Sequence, residues 1–156
     1  MGHEFSGEIV EIGKDVTNNW KIGERVCAMP QIGCAKCSNC RAGRPHRCDK
    51  ALNRATPGNP GAYSEFVRIG AQETFRLPDS VTFQEGALVE PLAVGLHAVK
   101  RAKITAGDNV LIVGGGPVGL SVAVWCKFFG ARHIIVSDLI ADRAEQAGDF
   151  GATGFV

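Results

Sequence analysis

The stretch VLIVGGGPVGLSVAVWCKFFGARHIIVSD, residues 110–138, decides the fold of this 156-residue chain. The apolar run at 110–113 predicts a strand, and the apolar run at 134–136 predicts a second one. Between them, Pro117 suits the first position of a helix and Gly130 suits its end. Strands that are apolar on both faces are typical of a parallel sheet between helices. The stretch therefore predicts a β–turn–α–β unit.

The turn in this unit carries the glycine pattern of a dinucleotide site. Gly114, Gly116 and Gly119 give G-x-G-x-x-G after a strand and at the start of a helix, and Asp138 ends the next strand. Such glycines permit the tight turn, the approach of the backbone to a pyrophosphate and close helix–strand packing. The acid accepts hydrogen bonds from ribose hydroxyls and repels a 2′-phosphate, so the pattern favours NAD over NADP. The alternative is a turn that binds nothing, with Asp138 capping a loop.

A second dense motif is GCAKCSNCRAGRPHRC, residues 33–48. Its thiols match a tetrahedral zinc site with four sulfur ligands, which leaves no open position for a substrate. The four candidate ligands are Cys34, Cys37, Cys40 and Cys48. We therefore predict a structural zinc that orders a lobe with little apolar sequence. The last gap departs from the iron–sulfur spacing, and His46 within that gap is either a competing ligand or an ordinary loop histidine.

Residues 5–80 have the pattern of an all-β region. Short strand-like stretches at 7–13, 25–29 and 62–69 are separated by Gly and Pro, which predicts a barrel or a sandwich. The cysteine lobe interrupts this pattern, and TPGNPG at 56–61 is predicted to be a loop.

From Thr82 the pattern becomes helical. Thr82 and Glu85 fit a capping box, and Pro91 predicts that two helical pieces meet at Glu90. Glu90 stands among apolar neighbours, where a carboxyl group is costly unless it is paired, hydrogen-bonded or metal-bound. Two interpretations stay open, a functional carboxylate or a cap for the following helix.

Composition limits the classes of partner. Hydrophobic residues make up 45% and charged residues 21% of the chain, and the formal net charge is +1 with acids and bases dispersed. Nucleic acids and acidic membranes require a clustered basic face, so neither is expected as a partner. The chain has no apolar run long enough to cross a bilayer and no signal-peptide pattern. We therefore expect a cytoplasmic protein with reduced thiols.

These motifs together resemble the zinc-dependent medium-chain dehydrogenases, and within them the sorbitol (polyol) dehydrogenase group. The resemblance rests on GHEFSGEIVEIG, GERV, the cysteine lobe, GAYSEFV, LPDSVTFQEGALVEPLAVGLHA, GGGPVG and VSDLIADR. The most discriminating segment surrounds Glu90, because classical alcohol dehydrogenases carry a cysteine there. The resemblance implies an α/β-plus-β architecture. A partial GroES-like β-barrel catalytic domain would span 1–80 with its zinc lobe at 33–48, linking helices would span 81–102, and the start of a doubly wound Rossmann sheet that binds NAD would span 103–156.

The resemblance also implies residue roles. His3 would bind a catalytic zinc, Glu4 would be a ligand or support one, and Glu90 would approach the metal or hold its water. The NAD contacts would come from Gly114, Gly116, Val118, Gly119, Asp138 and Arg143. Arg143 would pair with Asp138, lie on the adenosine or remain a solvated surface residue.

The implied reaction is NAD-linked oxidation of a secondary alcohol of a polyol to a ketose by hydride transfer. L-Threonine 3-dehydrogenase and 2,3-butanediol dehydrogenase are alternatives within the family. A non-catalytic, zinc-stabilised NAD-binding protein and a thiol redox sensor are alternatives outside it. Family members are more than twice as long as this chain and are expected to form homo-oligomers. We therefore expect an internal fragment that lacks an upstream cysteine ligand, retains only two parallel strands and is inactive alone.

Overall fold

The computed structural model of the protein describes residues 1–53 and 61–156. The chain divides into two compact units, Met1–Glu90 and Pro91–Val156, and each is described here by itself. In the part of the chain that is described, no helix has the length and apolar character that a bilayer crossing requires.

The first unit holds an antiparallel sheet and the cysteine lobe. In chain order its elements are β1 (Ser6–Glu8), β2 (Arg25–Ala28), β3 (Gln31–Ile32), α1 (Ser38–Arg41), β4 (Leu52–Asn53), β5 (Thr74–Arg76) and α2 (Phe83–Ala87). The central strand β2 pairs with β1 and β5, and its buried Cys27 lies opposite Ser6 and Phe75. Strands β3 and β4 pair as a two-stranded ribbon, and the cysteine lobe lies in the chain segment that connects them.

The prediction of a strand at 62–69 is wrong, because this segment forms no strand in the structure. The backbone N–H groups of Ala62 and Tyr63 donate to the carbonyls of Gly2 and Met1. Further along, the Ser64 hydroxyl donates to the Phe66 carbonyl at 2.6 Å. Local bonds of this kind compete with a sheet ladder. The predicted loop at 56–61 lies outside the described residues except for its last glycine.

The helical region begins as predicted but breaks earlier than expected. Thr82 caps α2 through a capping box with Glu85. The break falls at Leu88, the C-cap of α2, and α3 (Val89–Ala102) already includes Glu90 and Pro91 in its first turn. Proline is tolerated there because the first N–H groups of a helix have no intrahelical partner.

The second unit is a parallel sheet with helices. After α3 its elements are β6 (Asn109–Val113), α4 (Pro117–Phe128), β7 (His133–Ser137), α5 (Arg143–Asp149) and β8 (Gly154–Phe155). The three strands pair in parallel in the order β6-β7-β8, which confirms the β–turn–α–β unit. The core consists of Val99, Ile112, Leu120, Ala123, Cys126, Ile134, Val136 and Ala147.

The sheet has one strand more than the sequence predicts. The expectation of only two parallel strands is wrong, because β8 supplies a third. Two residues are too short for a strand period to show in the sequence. Ile112 of β6 faces the core, whereas Leu111 and Val113 point to the opposite face of the strand and are 63% and 83% exposed. This apolar face of the edge strand β6 is therefore uncovered.

Candidate functional site

The N-terminal segment is held by backbone hydrogen bonds. Ala62 donates to the Gly2 carbonyl at 3.0 Å and Tyr63 donates to the Met1 carbonyl at 3.1 Å. Gly2 has a φ of +89°, which favours glycine. This pairing fixes the backbone immediately before His3.

The side chains of His3, Glu4 and Glu90 converge in the first unit. One ligand atom from each lies within 4.8 Å of the others, and His3 Nε2 is 3.9 Å from Glu90 Oε2. Glu90 is mostly buried, and burial raises the pKa of its carboxyl while the nearby His3 opposes the shift. Imidazole nitrogen and carboxylate oxygen are ordinary zinc ligands, and catalytic sites use three protein ligands with one position open. The donor set therefore fits a catalytic metal.

The four cysteines of the lobe also converge. Their sulfur atoms all lie within 4.8 Å of one another, and Cys34 Sγ is 4.0 Å from Cys40 Sγ. A tetrahedral zinc with Zn–S bonds of about 2.3 Å needs sulfur atoms about 3.8 Å apart. The thiol cluster therefore has nearly the dimensions of a Cys₄ zinc site.

Local backbone structure organises these thiols. Cys37 is the N-cap of α1, and its sulfur accepts the Cys40 N–H. The Cys34 N–H donates in the same way to the sulfur of Cys48. Hydrogen bonds, chiefly from the Lys36 and Cys37 N–H groups, lower the pKa of Cys34 to about 6, while burial is the main cause that raises the pKa of Cys40 to about 12. Cation binding would displace the remaining thiol protons. The competing ligand His46 lies exposed in a short 3₁₀ helix, Pro45–Arg47.

The glycine turn has the shape that its sequence requires. Gly114 has a φ of +103°, where L side chains are strained. A Cβ added at Gly119 would collide with the Gly114 carbonyl oxygen, whereas nothing lies within 4 Å of one added at Gly116. Gly116 is the N-cap of α4, and the half-exposed Val118 lies in the first turn. First-turn N–H groups are anion-binding donors.

Asp138 follows β7 and is engaged by its own chain. Its Oδ2 accepts the Gly115 N–H at 2.7 Å and contacts Arg143 Nη1 at 2.6 Å, and its Oδ1 accepts the Ile140 N–H at 2.9 Å. The Arg143 guanidinium and these amides lower the pKa of Asp138 to about 2. Of the three possibilities given for Arg143, the structure shows the ion pair with Asp138. Asp138 also caps the loop that follows it.

Two residues near these sites have no recognisable signal in the sequence. Gly115 is only a spacer in the glycine pattern, although its amide joins the turn to Asp138. Glu73 belongs to no motif, although the residue is only 3% exposed and its carboxyl reaches the cysteine lobe. A single acid before a short strand gives no periodic signal, so its burial becomes visible only in the fold.

The comparisons with known proteins agree with this picture. The domain family described as "Alcohol dehydrogenase GroES-like domain" matches residues 1–79. Sorbitol dehydrogenase of Bacillus subtilis (strain 168) is 40% identical over 156 residues, which is 100% of this chain and 44% of the relative.

Solved structures give the same result. The 2R,3R-butanediol dehydrogenase from Bacillus subtilis has a TM-score of 0.84 and 38% identity, over 100% of this chain and 43% of that one. A protein described as a zinc-binding dehydrogenase from Sinorhizobium meliloti 1021, bound to NADP, has a TM-score of 0.86 and 34% identity, over 99% of this chain and 44% of that one. The chain thus spans less than half the length of the relatives that it matches. It belongs to the family of the alcohol dehydrogenase GroES-like domain, in agreement with its resemblance to the zinc-dependent medium-chain dehydrogenases.

Proposed function

We propose that the protein carrying this chain oxidises a secondary alcohol of a small polyol, of the sorbitol, xylitol or iditol type, to a ketose, with hydride transfer to NAD. The observation that carries the proposal is the convergence of His3, Glu4 and the mostly buried Glu90 within 4.8 Å. Glu90 is the least exposed of the three, and a partly buried carboxyl is costly unless it is paired, hydrogen-bonded or metal-bound.

A zinc ion at this cluster would supply a Lewis acid that lowers the pKa of an alcohol hydroxyl. Within the chain, His3 would offer Nε2, and Glu4 and Glu90 would each offer a carboxylate oxygen. The Gly2 and Met1 carbonyls accept hydrogen bonds that hold the backbone next to His3, which reduces the main-chain ordering that metal binding requires.

The four-cysteine lobe would hold a second, structural zinc. All four donors are sulfur, so this site leaves no open position for a substrate. It would order a segment that has little core of its own. The chemistry would therefore belong to the cluster at His3.

NAD would supply the hydride acceptor. The open space at Gly116 and the first turn of α4 would receive the pyrophosphate. Asp138 would face the adenosine ribose and repel a 2′-phosphate, while Arg143 remains paired to it. The Sinorhizobium structure bound to NADP makes the cofactor preference a direct test of this part of the proposal.

The similarity to a butanediol dehydrogenase supports a second candidate, oxidation of a vicinal diol. One experiment separates the candidates: the protein at its natural length is assayed with sorbitol, xylitol, 2,3-butanediol and L-threonine, with NAD or NADP, alongside a zinc count. The proposal predicts the highest kcat/KM for a polyol with NAD and two zinc ions per chain. One zinc per chain and no turnover would instead support a non-catalytic NAD-binding protein.

We further propose a cytoplasmic homo-oligomer, a dimer or a tetramer. The six cysteines are all free thiols in the structure, which suits a reducing compartment. Light scattering after size exclusion tests the assembly, and a monomer at micromolar concentration would contradict it.

A further inference from the structure

Glu73 is a buried acid that is not among the proposed ligands of any of the three candidate sites. It lies immediately before β5, and its backbone carbonyl accepts the Met29 N–H at 2.9 Å, so its main chain is part of the sheet region. The residue is only 3% exposed. A carboxyl group is costly to bury unless it is hydrogen-bonded, so its contacts identify what it stabilises.

The carboxyl of Glu73 reaches the start of the cysteine lobe. Its Oε1 accepts the backbone N–H of Gly33 at 3.1 Å, and Gly33 directly precedes Cys34. A Cβ added at Gly33 would lie 2.9 Å from Glu73 Oε1 and also 2.9 Å from Cys40 Sγ. The carboxyl and the Cys40 sulfur therefore pack against the same backbone atom, the Cα of Gly33.

The other carboxyl oxygen is confined by Gly70. A Cβ added at Gly70 would collide with Glu73 Oε2. The Gly70 carbonyl accepts the Glu73 N–H at 3.1 Å and the Thr74 hydroxyl at 2.7 Å, so the backbone around this glycine is fixed. The Glu73 carboxyl thus lies between two glycines, with Gly33 on its lobe side and Gly70 on its sheet side.

We propose that Glu73 is a positioning residue for the four-cysteine site, and that its carboxyl anchors the Gly33 amide so that Cys34 is presented to the metal. Some groups hold metal ligands in place from outside the coordination sphere. Mutation of such a group commonly weakens metal affinity by about 10- to 100-fold. Glu73 acts on the backbone before the first ligand rather than on a sulfur atom. The inference rests on the proposed structural zinc.

The test measures how tightly the lobe binds Co²⁺ and Zn²⁺ in the full-length protein, by competition with a chelator. The thiolate-to-Co²⁺ absorption reports the metal that is bound to cysteine sulfur. A Cys40→Ser variant defines the share of the absorption that belongs to the lobe. Glu73→Ala is expected to weaken binding by about 10- to 100-fold. Glu73→Gln retains an oxygen acceptor for Gly33 and is expected to bind within about threefold of wild type. Asp49→Ala removes an exposed acid beside Cys48 and is the matched control, expected to change nothing.

Gly70→Ala gives an independent test, because its new methyl group would displace the Glu73 carboxyl without touching a cysteine. It should weaken metal binding in the wild-type background and have a smaller effect in Glu73→Ala. Equal affinity of Glu73→Ala and wild type, or equal losses in Glu73→Ala and Glu73→Gln, would overturn the inference. If wild type itself shows no thiolate-to-Co²⁺ absorption, the structural-zinc proposal fails instead.

Discussion

Arg143 Nη1 lies 2.6 Å from Asp138 Oδ2, and the same oxygen accepts the Gly115 N–H at 2.7 Å. With the Ile140 N–H on Oδ1, three donors of the chain occupy one carboxylate. A carboxylate has about four lone-pair sites. Asp138 therefore retains about one acceptor site for a ribose hydroxyl, on Oδ1, while it ties the glycine turn to the end of β7.

Replacement of Asp138 by alanine is expected to relax the choice between NAD and NADP. The variant loses the acceptor for the ribose hydroxyl and frees the Arg143 guanidinium, which then attracts a 2′-phosphate. We expect NAD to bind about tenfold more weakly and NADP to bind more tightly, as measured by fluorescence titration. Asp142→Ala is the matched control, because this exposed acid makes no side-chain cap bond to α5. An unchanged NAD-to-NADP ratio in Asp138→Ala would contradict the proposed ribose contact.

Acid should weaken the second unit through Asp138. Its folded pKa of about 2 lies below the ordinary value of 3.8, so its contribution to stability is complete above pH 3.8 and is lost as the pH falls toward 2. Arg143 stays charged throughout this range. Urea unfolding of wild type and Asp138→Asn between pH 5 and pH 2 should give a difference in the free energy of unfolding that narrows as the pH falls. A difference that stays constant would rule out this ion pair as its source.

The sequence predicted the second unit better than the first, for a physical reason. A buried parallel strand and the glycine turn leave local signals, because Gly114 needs a positive φ and Gly119 needs the space of a missing Cβ. The segment at 62–69 alternates like a strand, yet Ala62 and Tyr63 donate their N–H groups to the N-terminal backbone. This pairing joins residues distant in sequence, which a local period does not report.

The candidate sites also differ in how far the sequence predicts them. The spacing of the four cysteines was sufficient to predict their cluster, because all four lie in one short loop. The pairing of Arg143 with Asp138 was one of three open possibilities, since five residues of separation permit each of them. Glu73 was missed altogether, because its contact with Gly33 spans 40 residues.

A methyl group at Gly119 should destabilise the second unit. The added Cβ would collide with the Gly114 carbonyl, which is a backbone group and not the end of a flexible side chain. We expect Gly119→Ala to lower the free energy of unfolding by about 1–3 kcal/mol in urea titrations. Gly148→Ala is the control, because nothing lies within 4 Å of a Cβ there and the position is exposed in α5. That control should raise stability by about 0.5–1 kcal/mol. A Gly119→Ala protein as stable as wild type would show that the turn relaxes.

Loss of one lobe cysteine should remove one zinc and loosen only the lobe. Cys40 is buried among the other thiols, so Cys40→Ser leaves three sulfur ligands and a weaker metal site. We expect one zinc fewer per chain by mass spectrometry and faster proteolysis within residues 33–48. Cys27→Ser changes a buried cysteine outside the lobe and should retain the full zinc count. Unchanged zinc content in Cys40→Ser would contradict a four-sulfur site.

Glu90 permits the sharpest test of the proposed chemistry, because two interpretations of it remain. As a metal-side carboxylate, its change to glutamine should lower kcat/KM by about 100-fold or more. The lobe zinc and the affinity for NAD should not change, since the variant keeps the side-chain volume and alters neither the cysteines nor the glycine turn. Glu11→Gln, an exposed acid, is the control.

The alternative interpretation gives a different result. As a helix-start residue, Glu90 would act only through the α3 dipole, and Glu90→Gln would lose about 0.3–1 kcal/mol of stability with kcat/KM preserved. A parallel His3→Ala variant decides between the metal-side and the helix-start interpretations. Loss of activity in both variants supports a shared metal site, whereas loss in His3→Ala alone assigns Glu90 to the helix.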